Sequence, residues 1–176
     1  EFLCKRWNAY SYDPKLEAFK KCLTGVLFDK QRNPAQKLVI FSEAIDTVDN
    51  IKLAVETTNP SLRVLTVKAS NRDDLEQTIQ ENFDANYKGT WKDDYQVIIA
   101  TEVLAEGINL HRANCILNYD APWNATRLMQ RIGRVNRIGS TADTVYVYNF
   151  MPSAQGDAQI QLVQKAYTKL QSFQVP

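Results

Sequence analysis

"KLVIF", residues 37–41, is a short apolar run with β-branched residues at its centre. It is too short to make a helix of its own, and it lacks the polar alternation of a strand with one wet face. It reads as a strand buried on both sides. Downstream, "VDNIKLAVE" (48–56) reads as a helix and "LRVLTV" (62–67) as a second strand. The alternation continues. "RDDLEQTIQENF" (72–83) is a helix with acids in its first turn, where the helix dipole favours them. "YQVIIAT" (95–101), "CILNYD" (115–120) and "TVYVYNFM" (144–151) are three more strands. Upstream, "PKLEAFKKCLTGVLFD" (14–29) has helical apolar spacing and opens on Pro14, suited to a first turn. The tail holds an amphipathic helix over 154–172. Strands alternating with helices predict an α/β fold: three layers, a mostly parallel central sheet, helices on both faces. One domain over 1–176 is expected, with 1–34 as a helical lead-in. Ligands of such sheets lie outside the carboxyl ends of the strands. Ser42, Glu43, Thr101, Glu102, Tyr119 and Asp120 should therefore gather along one edge. The polar stretch "DANYKGTWKDDY" (84–95) reads as a long surface loop.

Composition narrows the classes. With 21 Lys+Arg against 20 Asp+Glu, the net charge of +1 supplies no bulk attraction to nucleic acid. The hydrophobic fraction of 44% suits one globular core. No apolar run is long enough to span a membrane, and the start has no signal-peptide stretch. The chain also lacks an initial Met, which leads us to expect a piece of something longer. Cys4, Cys22 and Cys115 are odd in number and far apart, arguing against a disulfide framework or structural zinc and for a reducing compartment. The single histidine, His111, is expected at the surface or in a cap. No metal is assigned.

Charge is uneven along the chain. "TRLMQRIGRVNRIGS" (126–140) carries Arg127, Arg131, Arg134 and Arg137 and no acid. Asn124 reads as the N-cap, and Gly139 as the end, of a helix through this stretch. On that helix the four arginines align on one face, beside an apolar face of Leu128, Ile132 and Val135. A solvated face normally mixes signs, because like charges at this spacing repel by roughly 0.2–0.5 kcal/mol per pair. An arginine stripe instead points to an external anion, and Arg rather than Lys to two-pronged capture of phosphate oxygens. Gly133 would permit close approach to the backbone.

The same residues carry a resemblance. "QRIGRVNR" (130–137) is similar to the Q-x-x-G-R-x-x-R motif that ends the second motor domain of superfamily 2 helicases and translocases. "IIATEVLAEGINL" (98–110) resembles that family's fifth motif and "KLVIFSE" (37–43) its fourth. "INLHRANCILNYDAPWNATRLMQRIGRVNRIGS" is similar to the Swi/Snf-like branch in particular. The resemblance covers roughly 13–151 and implies a RecA-like fold. It implies a lobe that meets ATP held by a first, N-terminal RecA-like lobe of the same protein. Arg134 and Arg137 are then the catalytic arginines reaching the triphosphate, with Arg137 as the finger. Gln130 and Arg131 would bridge the interface and sense the γ-phosphate. Asn109 takes the position near the nucleotide ribose where many relatives carry Asp, and Gly107 allows the approach. Thr101 and Ser42 would bond a nucleic-acid backbone, with duplex DNA as the expected polymer. Arg72 is not at the family's usual spacing and is left unassigned. The compartment expected is cytoplasmic, or nuclear in a eukaryote.

No G-x-x-x-x-G-K-[ST] loop and no Asp-Glu box at a strand end occurs in the sequence. The resemblance then implies that ATP and Mg²⁺ are cofactors of the full-length protein. The metal is expected on the missing lobe, and nothing is expected to bind tightly to this chain alone. Two other classes stay open. One is a degenerate, non-catalytic lobe serving as a binding platform, whose signature would be loss of Arg134 or Arg137. The other is an unrelated phosphate-binding α/β domain, which would need a glycine-rich loop after the first strand, where "SEAIDTVDN" has none.

Overall fold

The computed structural model describes residues 13–101, 107–122 and 124–151. The expected helix over 154–172, the first residues of the lead-in, and Glu102 with the rest of the middle of the fifth-motif stretch (102–106) lie outside them. Asp13 begins the first helix by accepting from the N–H groups of Lys15 and Leu16, and Pro14 takes the first helical position (α1, Pro14–Cys22). The chain runs on through one π-helical turn, Leu23–Leu27, which turns both of its leucines inward. Then follow β1 (Leu38–Phe41), α2 (Ile45–Thr58), β2 (Val64–Val67), α3 (Arg72–Phe83), β3 (Val97–Ala100), β4 (Cys115–Asn118), α4 (Ala125–Val135) and β5 (Tyr146–Asn149).

The strands form one sheet in the order β2-β3-β1-β4-β5, and every pairing is parallel. β1, at the centre, is buried at all four positions. Period-two alternation splits its side chains between two cores. Leu38 and Ile40 point toward α1 and α2, where they meet Phe19, Leu23, Val48, Ile51 and Val55. Val39 and Phe41 point the other way, toward Ile79 and Phe83 of α3 and Val135 of α4. Each fully buried aliphatic or aromatic side chain contributes about 1.5–3 kcal/mol, so two such layers hold the sheet from both sides. This is the three-layer RecA-like α/β arrangement. Among the described residues no helix is long and apolar enough to cross a membrane.

The loop over 84–95 has no regular structure but is clasped to the body. Arg112, itself buried, donates to the carbonyls of Glu81 (2.9 Å) and Lys92 (2.8 Å) and pairs with Asp93. Lys37 reaches the same carboxylate at 3.0 Å.

The helix with the arginines is shorter than its sequence predicts. Asn124 caps it as expected, accepting from Thr126 N–H at 3.0 Å. It ends at Val135 rather than at Gly139, because Asn136 turns extended (φ −87°, ψ 90°). Ser140 competes for the helix's last groups: its hydroxyl donates to Val135 O (2.8 Å) and accepts from Arg137 N–H (3.2 Å). Gly139, at φ +94°, lies in the turn that this creates. Arg137 therefore leaves the helix, and the four arginines do not form a single stripe.

Candidate functional site

The carboxyl edge of the sheet gathers as its topology requires. Ser42, after β1, donates its backbone N–H to Ala100 O of β3 at 3.0 Å and its hydroxyl to Asp120, after β4, at 2.7 Å. Asp120 also accepts from Glu43 N–H (3.1 Å) and Lys15 Nζ (2.6 Å). Burial by itself would push the Asp120 carboxyl up. The Lys15 ammonium, the Ser42 hydroxyl and the Glu43 amide outweigh that and hold it below its ordinary value. Lys15 stands over the Tyr119 ring. Burial and the nearby carboxylates push that phenol up to about 12.

Two sequence expectations change here. Ser42 is fully buried and its hydroxyl is spent on Asp120, so it does not face a nucleic-acid strand. Arg131 is also fully buried. Its Nη1 donates to Asn118 Oδ1 (2.7 Å) and Asp120 O (3.3 Å), and its guanidinium lies 4.9 Å from the centre of the Phe41 ring. α4 thus sends Arg131 into the molecule as an anchor on β4. A side chain in that position does not bridge an external interface.

Arg137 does the opposite. It is exposed, just past the end of α4. Its Nε donates to Gly133 O at 2.9 Å and its Nη1 to Asn109 Oδ1. Asn109 belongs to a segment tied to the same helix end, since Leu110 N–H donates to Arg134 O at 2.9 Å. Gly107, in that segment, has φ +78°, a conformation only glycine takes cheaply. A Cβ there would come within 2.8 Å of the Arg72 guanidinium. The structure thus brings Gly107, Asn109, Arg134 and Arg137 together, with Gln130 exposed on the adjoining helix surface. Thr101 stands half-buried after β3. Arg134, in the last turn of α4, has its charge where the helix dipole favours a cation. Gly133 has open space beside it: a Cβ there would meet nothing beyond its own turns of helix.

Behind Arg137 lie residues that sequence reasoning missed. Asp84 Oδ2 accepts from Asn109 Nδ2 at 3.2 Å. Asp84 Oδ1 accepts from Asn86 N–H at 2.8 Å and lies 3.2 Å from His111 Nδ1. His111, expected at the surface, is instead buried. Burial lowers its affinity for a proton, Asp84 pulls the other way and the Arg137 charge adds to the lowering, so the ring is held below its ordinary value. Besides Asn86, the partners of Asp84 come from 109 and 111 and meet it only in the fold, so the local sequence marks a turn there but not a site. Among the described residues no group of three His, Cys, Asp or Glu side chains is placed to hold a metal ion.

Comparison with known proteins shows the family of the chain. Residues 14–139 match the family model described as "Helicase conserved C-terminal domain". The chain is 40% identical over 87 residues to the uncharacterized ATP-dependent helicase YqhH of Bacillus subtilis, covering 49% of this chain and 15% of that protein. It is 26% identical over 132 residues to DEAD-box ATP-dependent RNA helicase 15 of Arabidopsis thaliana, covering 74% of this chain and 28% of that one. The chain therefore spans less than a third of either relative. Its fold is similar to the crystal structure of the C-terminal part of the Fun30 ATPase domain, with TM-score 0.67 and 24% identity over 86% of this chain and 44% of that one.

Proposed function

Because the chain belongs to the helicase conserved C-terminal domain family and has the form of a superfamily 2 second motor lobe of Swi/Snf-like type, we propose that it supplies half of an ATP-hydrolysing site in a nucleic-acid translocase. The other half, with the phosphate loop and the Mg²⁺ carboxylates, belongs to a first RecA-like lobe of the same protein. The observation that carries this reading is the placement of Arg137. Its guanidinium is held at two points, on Gly133 O and Asn109 Oδ1, yet remains exposed beside a segment opened by Gly107.

A fixed cation on a rigid edge is what phosphoryl transfer needs from a second lobe. The reaction demands positioning and charge stabilisation more than covalent chemistry, and an arginine supplied across an interface is worth on the order of 10³–10⁵ in rate. Arg134, one turn back, assists it. Gln130 faces the lobe interface, and Asn109 combines holding Arg137 with a hydrogen bond to a ribose hydroxyl. Thr101, beyond β3, contacts the nucleic-acid backbone, for which we propose duplex DNA. Such contacts position the polymer without reading its sequence. ATP is the substrate the two lobes share.

The test is phosphate release by this chain alone and by the intact protein, each with duplex DNA, with RNA and without polymer. The reading predicts no turnover from the chain alone and DNA-stimulated turnover from the intact protein. Turnover by the chain alone would overturn it, and stimulation by RNA only would replace the polymer.

A further inference from the structure

Arg137 is the outer end of a chain of hydrogen bonds that runs inward through Asn109 to Asp84. The order of groups along that chain is restrictive. A guanidinium only donates, an ionised carboxylate only accepts, and a side-chain amide has one end of each kind. Asn109 can hold Arg137 only with its oxygen outward, which leaves its NH₂ facing inward. Asp84 is the acceptor that meets this NH₂. Its own orientation is set by the backbone: it is the C-cap of α3, with its N–H on Gln80 O, and its other oxygen is taken by Asn86 N–H at 2.8 Å. It is also mostly buried, at 8% exposure, so water competes little for the carboxylate.

We propose that Asp84 is a positioning residue for Arg137, which fixes the amide of Asn109 oxygen-outward and through it holds the guanidinium in its working direction. The inference rests on the reading that Arg137 meets the triphosphate. It adds a residue on the loop after α3 that touches neither nucleotide nor polymer.

Polarity makes the proposal testable in the intact motor. In Asp84→Asn, the Asn86 N–H still demands an oxygen, so the new NH₂ faces Asn109. Two donors then oppose each other, Asn109 turns its oxygen inward, and its NH₂ confronts Arg137. The expected result is a kcat lowered roughly 10- to 100-fold with KM nearly unchanged, as for a misaligned catalytic group. Asn109→Asp alone sets two carboxylates against each other and should also slow turnover. The double variant Asp84→Asn/Asn109→Asp restores donor to acceptor at both links, and most of the lost kcat should return. A merely structural role would make the two losses add.

Unchanged kcat in Asp84→Asn, or a double variant no faster than the slower single, would overturn the proposal. If Asp84→Asn does not fold, the double decides against Asn109→Asp. Recovery above that variant supports the proposal, and a double that is slower or unfolded overturns it. Arg137→Lys separates the two levels. If it turns over normally, the underlying reading fails. If it is slow while Asp84→Asn is normal, only the role of Asp84 fails.

Discussion

Arg131 and Arg137 come from one motif and are the same residue type, yet the fold uses them oppositely. Arg131 is fully buried, with its guanidinium on Asn118, the Asp120 carbonyl and the Phe41 ring. Arg137 is exposed, held from behind by Gly133 O and Asn109. The difference follows from where the helix stops. Arg131 lies within α4, on the side that buries Leu128 and Val135. Arg137 comes after Ser140 has ended the helix by taking the Val135 carbonyl. The first arginine ties α4 to β4 so that the helix end is rigid, and the second uses that rigid end as its mount.

The comparison predicts opposite costs for the two. Arg131→Ala removes a large buried side chain and strands two acceptors, each costing about 1–3 kcal/mol, so the loss of stability should be about 3 kcal/mol or more. Arg137→Ala should change stability by less than about 0.5 kcal/mol, like other exposed sites. Chemical denaturation of both variants checks this, and similar small losses would mean that Arg131 is not an anchor.

The Arg131 side also has an acid sensitivity. The Asp120 carboxyl is held below its ordinary value of 3.8. The stability it contributes is present above that value and is lost as pH falls through the lowered one. Asp120→Asn should therefore be less stable near neutrality and show a shallower decline in acid than the wild type. Parallel pH curves would remove Asp120 from the acid response. The smallest effect is expected at Thr101. In the intact protein Thr101→Ala should weaken DNA binding a few-fold, the scale of one net hydrogen bond, and leave ATP binding unchanged. A loss confined to ATP would move Thr101 to the nucleotide side.

The layers of the fold were legible because their signal is local. "KLVIF" and "YQVIIAT" are apolar without alternation, and burial on both faces is the only environment that suits such strands. α3 falls on the residues that its periodicity predicts. The site was legible only where motif position spoke. Asn109 and Arg137 were both picked out, but their contact was not, because the turn that ends α4 depends on a serine beyond the helix. The burial of Arg131, Ser42 and His111 was not legible. Each is a polar residue whose partner, Asn118, Asp120 or Asp84, comes from elsewhere in the chain, so local periodicity assigns it to solvent. Asn118 and Asp84 were missed for the same reason, whereas Asp120 was expected on the same sheet edge as Ser42.

The measurement that bears most directly on the central claim is single-turnover and steady-state ATP hydrolysis by the intact motor carrying Arg137→Lys. Arg127→Lys, on the exposed surface of α4 and outside the Arg137 mount, is the control. Lysine keeps the charge but cannot hold Asn109 and Gly133 O while reaching outward with a planar fork. The account predicts that Arg137→Lys folds, binds ATP with nearly unchanged affinity and loses kcat by about 100-fold or more, at ~1.4 kcal/mol per tenfold, while Arg127→Lys stays near wild type. Near-normal kcat in Arg137→Lys would contradict it.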